Sequence, residues 1–128
     1  MSKKYTWLAL IMFSFVFSKL VAIEGTYIGG GFDPYFKKSY STKLIVTKDK
    51  NDVYQAVWYE IEDRVKYHYV GTGIKTGGQI NFVFQSVGDA PDRAAGIQVY
   101  IIDGDTLEGP YVYINKNLVG TEKVQKQS

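Results

Sequence analysis

The 128-residue chain contains no cysteine and a single histidine. The absence of cysteine excludes disulfides, a thiolate nucleophile, cysteine-ligated zinc and a lipid-anchored lipoprotein. His68 lies in the run Tyr67-His-Tyr69, and the sequence places no nucleophile or metal-ligand cluster beside it. A lone histidine can act in acid–base chemistry, but it needs such partners. We therefore expect a protein that is not an enzyme and that uses no cofactor and no metal.

The N-terminal stretch has the pattern of an export signal. Lys3 and Lys4 precede the apolar run 7–17, and Ala22 supplies a small residue at the expected cleavage position. The apolar run is shorter than the roughly 20 residues that a permanent transmembrane helix needs. We interpret 1–22 as a signal peptide and 23–128 as a single domain that is secreted or periplasmic. An uncleaved N-terminal anchor is the alternative.

The charge balance changes once the predicted signal is set aside. The full chain has 15 Lys and Arg against 13 Asp and Glu. Lys3, Lys4 and Lys19 lie in the signal and no acid does, so 12 basic residues face 13 acidic residues in the remainder. A domain so close to neutrality has no excess of positive charge to attract nucleic acid, and we expect no nucleic-acid partner.

Turn-forming residues interrupt the chain at short, regular intervals, at 49–52, 62–64, 76–78, 103–105 and 115–117. The segments between them are rich in Tyr, Val, Ile and Phe, and none keeps a helical period. This pattern predicts an all-β protein, an up-and-down antiparallel eight-stranded β-barrel. The predicted strands cover 23–29, 40–48, 53–61, 65–74, 79–86, 95–102, 106–114 and 118–125. Two longer connections are predicted, at 29–38 and 87–93.

Alternation along each predicted strand assigns its two faces, because successive side chains point to opposite sides of a sheet. We assign Thr42, Tyr59, Phe84 and Tyr111 to the barrel interior. On the third strand this choice also places Gln55 inside and Glu60 outside. Charged residues such as Lys43 and Glu60 on the outer face argue against membrane insertion after signal cleavage.

Apolar residues occupy both faces of the sixth and seventh predicted strands. Such two-sided strands indicate a covered outer surface. We therefore expect a homo-oligomer formed through 95–102 and 106–114, or a barrel face that its own loops shield.

Three segments resemble the avidin and streptavidin family of eight-stranded barrels. Gly25-Thr-Tyr27 is similar to its opening Gly-Thr-Trp, 41–47 to its second strand, and Leu118-Val-Gly-Thr-Glu-Lys-Val124 to its final strand. The second half also resembles a group of small exported bacterial proteins, some of them labelled fibronectin-binding, through Gly71–Ile74, Val99–Ile102, Asp103–Gly109 and Gly120–Glu122. The resemblance implies an avidin-like or lipocalin-like barrel that binds a ligand at its mouth.

The resemblance also implies a set of ligand-binding positions. Thr42, Tyr59 and Glu122 match hydrogen-bonding positions of the family, whereas Phe84 and Tyr111 stand where the family has tryptophan. Glycines at 29–31 replace the expected asparagine. Tryptophan supplies much of the apolar contact area in such a site, so its loss predicts that biotin is not the ligand. The candidate ligand-binding set is therefore Thr42, Tyr59, Phe84, Tyr111 and Glu122.

Glu122 shares its predicted face with Leu118, Gly120 and Val124, which places a carboxylate inside the barrel. A buried carboxylate needs hydrogen bonds or a charge partner. Within the protein, Arg64, Arg93 or a tyrosine hydroxyl would supply one. Alternatively, the carboxylate receives a polar ligand.

The predicted loop 29–38 carries three aromatic residues, Phe32, Tyr35 and Phe36, beside the glycines. We expect them to form a contact surface, a pocket lid or a flap that plugs the barrel mouth. Two functions follow from these features. The first is a non-catalytic binding module for a small ligand or an extracellular protein. The second is an inhibitor of an extracellular enzyme acting through 29–38 or 87–93.

Overall fold

The eight predicted strands are present and close into a barrel. The computed structural model describes residues 22–61, 68–87 and 94–128. Each strand pairs with its neighbour in sequence in antiparallel fashion, and β1 pairs with β8 to complete the closure. The described residues contain no helix. The prediction of an all-β, up-and-down eight-stranded barrel is therefore confirmed.

The strand bounds agree with the sequence-based expectation to within a few residues. In chain order they are β1 (Gly25–Asp33), β2 (Lys38–Lys48), β3 (Tyr54–Glu60), β4 (His68–Thr76), β5 (Gln79–Val87), β6 (Ala95–Asp103), β7 (Thr106–Tyr113) and β8 (Val119–Lys126). Except for Ala22, the predicted signal peptide lies outside the described residues, as does almost all of the predicted loop 87–93.

The hairpin turns use the residues that the sequence pattern singled out. Gly77 and Gly104 have φ of 60° and 57°, a left-handed conformation that glycine adopts without steric cost. In the β2–β3 turn, Asp49 Oδ1 accepts hydrogen bonds from the backbone nitrogens of Asn51 and Val53 at 2.7 and 3.1 Å. The Asp49 side chain therefore closes this turn through hydrogen bonds from the backbone.

The prediction that 29–38 forms a loop is wrong. β1 continues to Asp33, and only residues 34–37 form the turn into β2. Three consecutive glycines suggested a flexible connection, but here they pair in register with 40–42 of β2. A strand tolerates them because two neighbouring strands pair with each of these positions.

One end of the barrel, which we call the closed end, is filled with tightly packed side chains. It lies at the turns 49–53, 77–78 and 104–105. Leu44, Ile80 and Phe82 are fully buried there, and Leu107 and Val124 are nearly so. Burying one such side chain stabilises the fold by about 1.5–3 kcal/mol. The hydrophobic core is therefore concentrated away from the opposite end, where β1, β3, β5 and β7 finish.

The face assignment was right for β2, β5 and β7 and wrong for β3. Thr42, Phe84 and Tyr111 are buried as expected. On β3 the buried residues are Tyr54, Ala56 and Trp58. Both faces of this strand carry large apolar side chains, so alternation alone does not distinguish them. Closure of the barrel turns Trp58 inward and leaves its neighbours on the outer face.

Candidate functional site

The end of the barrel opposite the closed end, which we call the mouth, holds a cavity of about 60 Å³. A single water occupies roughly 10–15 Å³ on this scale, so the mouth cavity has room for a few waters or a small chemical group. Its described wall combines six aromatic rings with three carboxylates and two further polar side chains. The lining residues are Asp33, Tyr40, Thr42, Trp58, Glu60, Tyr69, Phe84, Gln98, Tyr111, Tyr113 and Glu122.

Glu122 lies at the base of the mouth cavity and is 5 % exposed. Its Oε1 accepts a hydrogen bond from the Tyr40 hydroxyl at 3.0 Å, and its Oε2 accepts one from Tyr100. The indole Nε1 of Trp58 lies 3.3 Å from the same Oε2. Of the partners expected from the sequence, a tyrosine hydroxyl is present, supplied by both Tyr40 and Tyr100. Arg64 and Arg93 lie outside the described residues.

Burial raises the pKa of Glu122, and the hydrogen bonds from Tyr100, Tyr40 and Trp58 act in the opposite direction. Burial, followed by the neighbouring Glu122 carboxylate, also raises the pKa of the Tyr40 and Tyr100 hydroxyls well above their ordinary value. These tyrosines therefore keep their protons throughout the physiological range and remain donors to the carboxylate.

The aromatic rings of the mouth form a continuous wall of edge-to-face contacts. Phe84 contacts Tyr69, Tyr113 and Trp58, with ring centroids 5.7, 5.9 and 6.0 Å apart. Tyr111 extends the wall to Tyr113 at 5.7 Å. Such pairs add roughly 0.5–1.5 kcal/mol each beyond the area they bury. The rings therefore hold one another in place around the cavity.

Inward-facing glycines provide the space that these rings occupy. A Cβ at Gly31 would lie 2.6 Å from the Tyr40 hydroxyl, and one at Gly96 would lie 2.7 Å from the Phe84 ring. A Cβ at Gly120 would overlap the Tyr111 ring. Gly120 begins the segment Gly120–Glu122, one of those that carry the family resemblance. Its role in the structure is to make room for an aromatic side chain.

Asp33 organises the rim of the mouth. Its Oδ1 accepts hydrogen bonds from the backbone nitrogens of Tyr35 and Phe36 at 2.9 and 3.3 Å, which fixes the β1–β2 turn. Its Oδ2 accepts a hydrogen bond from the Tyr113 hydroxyl at 3.0 Å. One carboxylate thus ties the turn to the aromatic wall.

Four of the five predicted ligand-binding residues meet at the mouth cavity. Thr42, Phe84, Tyr111 and Glu122 line it. Tyr59 lies on the outer face of β3 and is 43 % exposed, so its predicted interior position is wrong. Glu60, which we expected on the outside, lines the cavity instead. Both corrections have one cause, because the parity of β3 is opposite to the one predicted.

The cavity also contains residues that sequence reasoning did not select. They are Asp33, Tyr40, Trp58, Tyr69, Gln98 and Tyr113. Trp58 carried a usable signal, since tryptophan is highly buried on average. Gln98 carried none, because a glutamine between apolar neighbours has the pattern of a solvent-facing residue.

The three predicted contact residues are exposed on the rim. Phe32 belongs to β1, whereas Tyr35 and Phe36 lie in the turn and are 49 % and 59 % exposed. Lys116 Nζ lies 4.6 Å from the centre of the Tyr35 ring, a cation–π contact that holds the turn close to 114–118. The turn is therefore a short, braced projection at the barrel mouth.

No protein-family model matches the chain, and no curated protein matches it significantly. In 22–61, 68–87 and 94–128, no group of three His, Cys, Asp or Glu residues is placed to hold a metal ion. The same ranges contain no helix long and apolar enough to cross a membrane. His68 begins β4, and its side chain is not among the described ones.

Proposed function

We propose that the chain is an exported, non-catalytic binding module that holds a small ligand in the mouth of its barrel. The observation that carries this proposal is the asymmetry of the interior. Apolar side chains such as Leu44, Ile80 and Phe82 fill the closed end, whereas the mouth places Glu122, Gln98 and Thr42 around a cavity. Buried polar groups cost stability unless they are paired, and a binding site is a common reason for retaining them.

The size of the cavity limits what it accepts. About 60 Å³ is far below the 300–1,000 Å³ of typical sites for drug-sized ligands. The mouth therefore accepts a head group of a few heavy atoms, and the remainder of a larger ligand would project past the rim. The exposed rings of Phe32, Tyr35 and Phe36 lie where such a remainder would pass.

Native mass spectrometry of the protein purified from a host that exports it tests the proposal. We expect a retained small molecule that Glu122→Ala or Tyr111→Ala releases. Tyr59→Ala provides the matched control, because it removes a tyrosine ring from the outer face and should leave the retained molecule in place. If the protein is empty and no variant changes its mass beyond the substitution, the module proposal is refuted.

A homo-oligomer formed through β6 and β7 is part of this proposal. Val83, Ile97, Val112 and Val119 lie side by side across β5 to β8 on the outer face. Three of the four are exposed, and Ile101 adds a fifth apolar residue on β6. Contiguous exposed apolar surface is typical of protein interfaces. Sedimentation velocity should show an oligomer that Ile97→Lys converts to monomer.

The second candidate function is an inhibitor of an extracellular enzyme. The observation that favours it is the turn at 34–37, which carries two exposed aromatic side chains. Asp33 accepts hydrogen bonds from the backbone of this turn, and Lys116 contacts the Tyr35 ring. A rigid projection loses little entropy on binding, which favours docking into a protein cleft. Tyr35→Ala and Phe36→Ala would then abolish inhibition while Glu122→Ala would not, the reverse of the pattern expected for a mouth ligand.

A further inference from the structure

The hydrogen bonds within the cavity wall leave Thr42 and Tyr111 with acceptors, not donors, to offer a ligand. Thr42 Oγ1 donates to the backbone oxygen of Tyr59, and the Tyr111 hydroxyl donates to that of Phe32, both at 3.0 Å. A carbonyl oxygen can only accept, so both hydroxyl hydrogens are directed into the protein. The groups that these two residues offer to the cavity are therefore oxygen lone pairs.

Gln98 likewise uses its donor within the protein and keeps its acceptor. Its Nε2 donates to the backbone oxygens of Val99, Gly109 and Pro110, each at 3.1 Å. Three carbonyl acceptors fix which end of the amide is the nitrogen. The acceptor Oε1 is therefore the remaining polar atom of a side chain that is 3 % exposed and lines the cavity.

The carboxylates add further hydrogen-bond acceptors and negative charge to the wall. Tyr40 directs its hydroxyl to Glu122, and Tyr113 directs its hydroxyl to Asp33, both at 3.0 Å. Glu60 adds a third carboxylate to the wall. The described lining residues include no lysine and no arginine. An occupant therefore meets acceptors and negative charge, and the hydroxyls of Tyr40, Tyr111 and Tyr113 already donate to protein oxygens.

The aromatic wall suits a positively charged occupant as well. The face of an aromatic ring attracts a cation, by about 0.5–2 kcal/mol depending on how far the site is removed from water. Six rings surround a space with room for only a few heavy atoms. Rings and carboxylates around one small cavity are the chemistry that recognises an organic ammonium group.

We propose that the mouth cavity binds the ammonium head group of a small organic amine, whose N–H groups donate to Glu122 and Gln98 while the rings enclose its stem. This inference rests on the proposed binding function and defines its ligand class. The charge of the head group, its size and its donors all follow from the wall, since an anionic head group would meet three carboxylates and neither lysine nor arginine among the described lining residues.

Three probes of nearly equal size test the charge of the preferred head group: n-propylammonium, n-propanol and propionate. Trp58 borders the cavity, and Trp7→Phe removes the only other tryptophan of the full chain, so one indole N–H signal reports on the site in a ¹H–¹⁵N spectrum. At constant ionic strength we expect n-propylammonium to shift this signal saturably. It should bind at least about tenfold more tightly than either other probe, the effect of one hydrogen bond between charged groups.

Carboxylate variants identify the group responsible. Glu122→Gln should weaken n-propylammonium binding about tenfold, and Glu60→Gln should weaken it by a smaller factor. Glu108→Gln makes the same chemical change on the outer face, where Glu108 is exposed, and should leave the affinity unchanged. Glu60 is only half-buried, so its variant remains informative if Glu122→Gln does not fold.

The outcomes separate this inference from the proposed function. Saturable binding of n-propanol or propionate, equal to or tighter than that of n-propylammonium, overturns the ammonium inference and leaves the binding module intact. Unchanged affinity in both Glu122→Gln and Glu60→Gln also overturns it. If no probe shifts the Trp58 signal and native mass spectrometry finds no retained molecule, both proposals fail.

Discussion

The two ends of the barrel are built by the same eight strands and differ in nearly every other respect. At the closed end, Leu44, Ile80 and Leu107 fill the interior with apolar atoms. At the mouth, Glu122 and Gln98 occupy the corresponding inward positions amid tyrosine rings. The first arrangement stabilises the fold through burial, whereas the second has to offset the cost of removing charge from water. The end of the barrel whose packing contributes most to stability therefore lies opposite the end that holds the candidate site.

The largest expected effect is at the closed end. Ile80→Ala should lower the free energy of unfolding by about 2–5 kcal/mol, because the cavity left behind adds to the lost burial. Ile74→Ala is the matched control, since Ile74 lies on the adjacent strand and is 57 % exposed. Urea denaturation measures both variants. Equal losses would show that the closed end is not the principal source of stability.

A smaller loss is expected where a glycine makes room for a ring of the mouth. Gly120→Ala should cost about 1–3 kcal/mol, because the added methyl group forces the Tyr111 ring out of its position. Gly78→Ala is the control, since nothing lies within 4 Å of a Cβ added there. The Trp58 indole signal should move only in the first variant. An undisturbed signal would contradict the proposed role of Gly120.

The buried carboxylate should make the stability of the mouth depend on pH. Burial raises the Glu122 pKa, so between the ordinary carboxyl pKa and this raised value the folded protein holds a proton that the unfolded chain has lost. Stability contributed by this group is therefore fully present at low pH and declines as the pH rises through that interval.

Glu122→Gln should remove this decline, at a smaller change in free energy than the glycine substitution causes. Denaturation of both proteins across the acidic to neutral range measures the difference, which should grow with pH in favour of the variant. A difference that shrinks as the pH rises would mean that the hydrogen bonds from Tyr40, Tyr100 and Trp58 outweigh burial.

The smallest expected loss of stability concerns the hydroxyl of Tyr27, which is hydrogen-bonded at the closed end. Tyr27 donates to the backbone oxygen of Ile23 at 2.6 Å. Tyr27→Phe should cost about 1 kcal/mol at neutral pH, the net contribution of one hydrogen bond. Burial, followed by the charges of Asp105 and Glu24, raises the pKa of Tyr27 to about 12.

The raised pKa of Tyr27 adds a signature at alkaline pH. Above its ordinary value of 10 the unfolded chain loses the tyrosine proton while the folded barrel keeps it, so stability falls as the pH rises from 10 to about 12. Tyr27→Phe should reduce that slope in alkaline denaturation curves. An unchanged slope would assign the alkaline loss to the tyrosines of the mouth.

Much of the candidate site followed from period-two alternation and from a family resemblance. Thr42, Phe84 and Tyr111 were placed correctly because each shares a face with apolar residues of its strand, and Glu122 because it shares one with Gly120 and Val124. The assignment failed on β3, where Val57 and Tyr59 were as plausible as Trp58. It also missed Asp33, because the preceding glycines at 29–31 suggested a loop, and Tyr40, which it placed at the first position of the second predicted strand.

Turn residues and alternation act over a few neighbouring positions, and they were enough to predict the eight strands, the turns at 49–52, 76–78, 103–105 and 115–117, and the inward position of a carboxylate. The tertiary structure alone decided which face of β3 points inward, that Glu122 meets Tyr40, Tyr100 and Trp58, and that the hydroxyls of the wall direct their hydrogens away from the cavity. These features depend on the register at which distant strands close the barrel; Tyr40 and Glu122, whose side chains meet there, lie 82 positions apart in the chain.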